Sequence, residues 1–206
     1  MFYGNPTYYW FKDIVPTNVC DQIVNHFLNL KQNKGLIGNL STKKRLSKED
    51  KKILKKTRQS NVIFDNPKWI YDIINPIINQ ANKEANWNLE VDFNESVQFT
   101  IYNKNQFYDW HADTGNIYKN DKNINFQNKT RKLSLTLQLT DPKNYSGGEL
   151  QFKTLTHKKV YVYTAKEALT KGSVIIFPSQ TIHRVKPVTK GTRYSLVNWS
   201  LGYPVK

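Results

Sequence analysis

Leu133-Ser134-Leu135-Thr136-Leu137-Gln138-Leu139 alternates strictly between leucine and a polar residue. Successive side chains of a β-strand point to opposite faces, so this heptapeptide reads as a strand with one leucine face and one polar face. The leucines need an apolar layer, and helices elsewhere in the chain can supply it. Ser134, Thr136 and Gln138 turn the other way, toward a polar interior. A small barrel ordinarily fills its interior with apolar side chains, so a polar inner face predicts a ligand cavity, with a solvated face as the plainer alternative.

Around this strand lie other short β-rich runs: Val97–Tyr102, Glu149–Lys153, Val160–Tyr163, Ser173–Phe177 and Tyr194–Leu201. Turn chemistry such as Asp141-Pro142 and Gly147-Gly148 separates them. The stretch 103–128 is the longest without periodicity and reads as a loop, functional or mobile. Upstream the grammar is helical, after a strand read over Thr7–Val15. Thr17 is a candidate N-cap for a helix carrying Ile23, Val24, Phe27 and Leu28. Ser47–Lys56 reads as a short helix. Asn66-Pro67 reads as a capping residue and first helical position before the stripe Ile70, Ile73, Ile74, Ile77, Ile78 and Ala81, kinked at Pro76. Helices first and strands afterwards predict an α+β chain, mainly β: a sandwich or barrel with helices on one face.

At 206 residues and 38% hydrophobic content the chain has enough apolar surface for one packed domain. No run approaches the roughly 20 apolar residues that cross a bilayer, so no membrane partner is expected. Met1–Pro6 lacks a basic leader followed by an apolar run, and no secretory signal is read there. The single cysteine, Cys20, excludes a disulfide framework and a thiolate cluster and suits a reducing cytosol, hence an expected cytoplasmic location. The net charge of +15 makes nucleic acid a conceivable partner. Much of the excess sits in one run, Lys43–Arg58, for which a solvated basic loop or helix is the simpler account.

Among four histidines (His26, His111, His157 and His183), His111 is followed two positions later by Asp113. On an extended segment the two side chains share a face and can reach one ion, although His-x-Asp alone is a weak signal. His183 follows the apolar run Val174–Phe177 and supplies a third candidate ligand. Two histidines and a carboxylate make the facial triad of non-haem Fe(II) oxygenases, which leaves coordination positions open. Arg193, in a β-rich run, needs an anionic partner, and a guanidinium fork holding a carboxylate would satisfy it. His26 and His157 need no chemical role.

Three segments carry a resemblance: Tyr102-Asn-Lys-Asn-Gln-Phe-Tyr108-Asp-Trp-His111-Ala-Asp113, Asp141-Pro-Lys-Asn-Tyr-Ser-Gly147-Gly148-Glu149-Leu150, and Phe177-Pro-Ser-Gln-Thr-Ile-His183-Arg-Val-Lys-Pro-Val-Thr-Lys-Gly-Thr-Arg193-Tyr194. Over about residues 97–201 the chain resembles the Fe(II)/2-oxoglutarate-dependent dioxygenases, in the prolyl 4-hydroxylase-like branch with the PKHD-type hydroxylases. The resemblance implies a double-stranded β-helix (jelly-roll, cupin-like) core at 91–206, with a helical support region at 1–90 packed on one sheet, all one domain.

It also implies roles. His111, Asp113 and His183 would hold Fe(II), and Arg193 would pair with the far carboxylate of 2-oxoglutarate. Tyr102 would contact the same co-substrate, Thr136 and Gln138 would line its pocket, Trp199 would lie near the iron, and Tyr108 would stand where substrate enters. Asn105 replaces a frequent glycine before the metal strand, and asparagine tolerates the positive φ of that turn. The implied reaction consumes O2 and 2-oxoglutarate, releases succinate and CO2, and hydroxylates an unactivated C–H bond of a protein or peptide, proline being favoured; ascorbate is an optional accessory. Two alternatives stay open: an oxidative demethylase of nucleic-acid bases on the same metal site, and a non-catalytic basic binding module.

Overall fold

The computed structural model describes residues 6–38, 40, 43, 45–114, 117–119, 121–156 and 159–204. In chain order its elements begin with β1 (Tyr9–Phe11), α1 (Thr17–Leu28), β2 (Asn33–Lys34), α2 (Lys48–Thr57), β3 (Arg58–Gln59), β4 (Asn61–Asp65) and α3 (Lys68–Glu84). There follow β5 (Phe93–Asn94), β6 (Val97–Tyr102), β7 (Phe107–His111), β8 (Thr130–Gln138), β9 (Tyr145–Gly147) and β10 (Leu150–Thr156). The chain closes with β11 (Lys159–Thr164), β12 (Val174–Pro178), β13 (Ile182–Val185), β14 (Val188–Gly191) and β15 (Arg193–Gly202).

Two antiparallel sheets face each other. The major sheet runs β1-β12-β8-β15-β6-β4-β2, with β5 paired to β15, and the minor sheet runs β11-β10-β13-β7-β3. The leucine strand lies inside the major sheet between β12 and β15. Leu133, Leu135, Leu137 and Leu139 bury against Ile23 and Phe27 of α1 and Ile70, Ile74, Ile77 and Ile78 of α3, in one continuous core. Phe27 stacks on Phe99 of β6 at 5.1 Å. The opposite face of the same sheet looks into the space between the sheets, where Phe152, Ile175, Phe177 and Val185 form a second, smaller core. Leu137 is fully buried, so Leu137→Ala is expected to lower unfolding stability by about 3 kcal/mol, through lost transfer energy plus the cavity left behind. Denaturant titration measures it, and a loss within experimental error would show that the leucine face is not the core.

Several local readings need correction. Only Tyr9–Phe11 of the predicted 7–15 strand is β. Thr17 is the first helical residue and not the cap: Pro16 takes that place with extended ψ, and no side chain caps α1. Asn66 does not cap α3 either. Pro67 is the N-cap and Lys68 the first helical residue, while Asn66 accepts a hydrogen bond from the Tyr71 hydroxyl. The α3 helix continues through Pro76 to Glu84.

The short helix read from Ser47 is present as α2, and Ser47 caps it. Its Oγ accepts from Asp50 N, and the Asp50 carboxylate accepts in return from Ser47 N. That helix, α2, packs on β3 and β7, whereas α1 and α3 pack on the major sheet. The stretch read as a loop contains β7, and the first ninety residues also contribute β1 to β4. Asn105 adopts φ +66°, as its turn requires. His157 lies outside the described residues.

Candidate metal centre and active-site cavity

Strands β7 and β13 are antiparallel neighbours whose register places His183 directly opposite His111. Asp113 sits just past the end of β7, fixed by a 2.9 Å hydrogen bond from its backbone N–H to the carbonyl of Ser179. Seventy residues of sequence separation between Asp113 and His183 thus become a local cluster, with one ligand atom from each of the three residues within 4.8 Å of the others. The Nε2 atoms of His111 and His183 each lie 3.6 Å from an Asp113 carboxylate oxygen, one on Oδ1 and the other on Oδ2.

Backbone carbonyls orient both rings. His111 Nδ1 is 2.7 Å from Asp109 O, and His183 Nδ1 is 2.9 Å from Thr181 O. Protons on those Nδ1 atoms leave both Nε2 lone pairs aimed at the same point, as a metal-binding imidazole requires. The Asp113 carboxylate accepts from the Ser134 hydroxyl at 2.8 Å. These donors fit a divalent ion with imidazole and carboxylate preference, and they converge from one side.

Electrostatics prepare the same state. Burial and the neighbouring His183 push the His111 imidazole down to about 3, outweighing Asp113, which acts to raise it. Burial would raise Asp113, but His183, His111, Arg131 and the Trp199 indole together hold it well below the usual carboxylate range. A neutral imidazole and an ionised carboxylate are the ligand forms a metal takes. An unfolded histidine titrates near 6.5, so between that value and the depressed folded one the unfolded chain binds more protons. Metal-free protein should therefore lose stability as pH falls from about 6.5 toward about 3. A thermal midpoint that rises on acidification through this window would contradict the assignment.

The triad opens on a cavity of about 700 Å³ between the sheets. Tyr102, Thr136, Arg193, Ser195 and Val197 line its inner part, with Trp199, Tyr108 and Arg58 in the walls. Arg193 is only 4% exposed, and among the described residues its sole side-chain hydrogen bond is a long one, 3.4 Å to Ser195 Oγ. Its guanidinium carbon lies 5.8 Å from the Tyr102 ring. Among the described residues no carboxylate lies within ion-pairing distance of it.

Gly147 and Gly148 (φ +75° and +67°) make the turn that admits this arginine. A Cβ on Gly147 would strike Pro187 O, and one on Gly148 would press on Val188 and the Arg193 Cδ. Burial raises the Tyr102 phenol and pushes Tyr108 up to about 12, so both keep their protons.

The other expected residues fall out individually. Thr136 lines the cavity. Gln138 does not: its amide nitrogen donates to Thr140 O and the Tyr145 hydroxyl, behind the lining. Trp199 is buried over Arg131 at 3.8 Å, and its Nε1 makes no hydrogen bond among the described residues while still favouring the ionised form of Asp113. Tyr108 is part of the wall, its ring stacked on His111 at 3.5 Å.

Three cavity residues escaped sequence reading. Arg58 lies 4.5 Å over the opposing Tyr108 ring and bonds Ser60 Oγ and Leu36 O. Glu95 grips Arg131 through two 2.6 Å hydrogen bonds. Arg58 was hidden in a lysine run, and Glu95 and Arg131 share no spacing that marks a pair.

Residues 97–201 match the family model of the 2OG-Fe(II) oxygenase superfamily. A PKHD-type hydroxylase of Gloeothece citriformis is 38% identical over 108 residues, covering 50% of this chain and 41% of that protein. A PKHD-type hydroxylase of Prochlorococcus marinus is 36% identical over 107 residues, covering 52% and 42%. The chain thus spans less than half the length of these curated relatives. Among solved structures, the viral collagen prolyl hydroxylase of Paramecium bursaria Chlorella virus-1 in its 2OG complex superposes with a TM-score of 0.64 at 20% identity, covering 96% of this chain and 97% of that one. A Trichoplax adhaerens prolyl hydroxylase, solved with a hypoxia inducible factor oxygen degradation domain peptide fragment, gives 0.65 at 15% identity, covering 94% and 83%. At such identities the likeness establishes the fold, a jelly-roll core.

Proposed function

This chain belongs to the 2OG-Fe(II) oxygenase superfamily, and from that premise we propose that it is an Fe(II)- and 2-oxoglutarate-dependent hydroxylase of a protein or peptide side chain, with proline the favoured target. His111 Nε2, His183 Nε2 and the Asp113 carboxylate would hold the metal. When bound, iron with O2 and 2-oxoglutarate supplies the oxidising chemistry that hydroxylates an unactivated C–H bond and releases succinate and CO2.

The rest is positioning by the chain. Arg193 pairs with the far carboxylate of 2-oxoglutarate, and the protonated Tyr102 hydroxyl donates to the same co-substrate. Thr136 lies along its path. Ser134 holds the Asp113 carboxylate, with the Trp199 indole favouring its ionised form, while Phe152 and Phe177 exclude water behind His183. The observation that carries this reading is a buried Arg193 without a carboxylate partner among the described residues, in the same cavity as the triad. An unpaired buried cation is costly, and a dicarboxylate co-substrate relieves it.

Under this reading residues 1–206 act as one catalytic domain, working in the cytoplasm, with ascorbate as an accessory reductant. No helix among the described residues is long and apolar enough to cross a membrane. The test incubates the chain with Fe(II), 2-oxoglutarate and a proline-containing peptide. Succinate that depends on both additions, together with gain of one oxygen atom by the peptide, supports the proposal. Absence of any Fe(II)-dependent succinate refutes it and favours a non-catalytic binding module.

A further inference from the structure

The helix α2 places Lys48, Lys51, Lys52, Lys55 and Lys56 at i, i+3, i+4, i+7 and i+8, one continuous stripe on a helix of 3.6 residues per turn. All five are exposed, and among the described residues none has an ion pair or a side-chain hydrogen bond. The acidic residues of the helix neutralise the stripe only in part, since Asp50 is consumed by the Ser47 capping box and by Lys43 at 2.8 Å, which leaves Glu49 alone against five lysines.

As a purely structural helix this one is poorly designed. Lys48–Lys52, Lys51–Lys55 and Lys52–Lys56 are like-charge i,i+4 pairs, each of which destabilises a helix. Lys48, Lys51 and Lys52 also lie toward the N-terminal end, where the macrodipole disfavours cations. The capping box and the first-turn acids Glu49 and Asp50 offset part of this, and like-charge pairs repeated beyond that compensation are expected where a surface is kept for function. The stripe also leads to the cavity. The helix ends at Arg58, whose guanidinium lines the chamber and lies over Tyr108, itself stacked on the metal ligand His111.

We propose that the lysine face of α2 docks an acidic segment of the polypeptide substrate, flanking the side chain delivered to the metal. This rests on the peptide-hydroxylase reading and names the substrate class for it. Nucleic acid is the other polyanion, and the cavity is ill suited to a flipped base. Recognition of a flipped base uses free aromatic faces, and the aromatic faces beside the triad are already taken, Tyr108 by Arg58 and His111 and Trp199 by Arg131. Compact lysine charges without arginine forks along the stripe also fit flexible carboxylates as well as they fit phosphates.

The experiment measures fluorescence anisotropy of the full chain with two labelled peptides of equal length, each holding one proline-containing segment followed by a run of glutamates or of glutamines. The glutamate peptide should bind about tenfold tighter at low salt, as a few exposed ion pairs allow, and the difference should shrink as salt rises. A Lys51→Gln/Lys52→Gln/Lys55→Gln variant should lose that preference while melting no lower than the parent, because it sheds like-charge pairs. Succinate released without peptide should be unchanged in it. Equal binding of the two peptides, or a preference untouched by the triple substitution, overturns the proposal. So does a single-stranded oligonucleotide of matching charge that binds tighter through the same lysines. If the parent makes no succinate at all, the hydroxylase reading fails, and the anisotropy still reports on the docking face separately.

Discussion

Asp113→Ala is expected to weaken Mn(II) or Fe(II) binding by more than about 100-fold, beyond what loss of an outer-shell partner costs, and to abolish metal-dependent succinate release. Asp113 is the only anion in the triad. Without it a dication would face two neutral imidazoles in a buried site, with the Arg131 guanidinium close to the same aspartate through its carbonyl at 3.4 Å. The fold should survive, because Asp113 lies past the end of β7 and is anchored there by its backbone N–H on Ser179 O, which the substitution keeps. Ser134→Ala, which deletes the hydroxyl donating to Asp113, should lose about 10- to 100-fold in metal affinity and keep turnover at saturating metal. Calorimetric titration with Mn(II) separates the two variants. Unchanged affinity in Asp113→Ala would remove the aspartate from the ligand set.

What the sequence disclosed follows the range of each signal. The leucine alternation is local, period two and strong, so it identified both the face under the helices and the face toward the cavity. Asn105 and the Gly147-Gly148 turn were legible because positive φ restricts residue type at a single position. His111 with Asp113 was legible as a pair, but the opposition of His183 to His111 is a fact of strand register. It could be anticipated only from resemblance. The strand β7 went unread because Phe107–His111 is short and neither alternates apolar with polar nor runs apolar throughout. Arg58 and the Glu95–Arg131 fork were invisible for a different reason. Their partners are brought in by tertiary packing, and an arginine at the end of a lysine run looks like more of the same solvated charge. The misplaced caps share a cause: Pro16 and Pro67 each occupy the N-cap with extended ψ, so α1 begins one residue earlier than a Thr17 cap implies and α3 one residue later than a Pro67 first turn implies.

Arg193→Ala is expected to raise the 2-oxoglutarate KM by roughly 100-fold, since stranding one member of a buried charge pair costs about 3 kcal/mol and each 1.4 kcal/mol is tenfold. A gain in KM alone would not identify which end of the co-substrate the arginine holds. The discriminating comparison is 2-oxobutanoate, which keeps the keto acid but lacks the far carboxylate. The parent should prefer 2-oxoglutarate strongly, and Arg193→Ala should treat the two keto acids nearly alike, a coupling that a general loss of packing does not produce. Arg193→Lys keeps the charge but loses the fork and should fall between them. Mn(II) affinity should stay at the parental value in both variants, because the guanidinium lies in the inner cavity and touches Ser195 and Tyr102, not the triad. If Arg193→Ala retains the full preference for 2-oxoglutarate, another group binds that carboxylate. The cationic candidate is then Arg58, the other cavity-lining arginine without a carboxylate partner among the described residues.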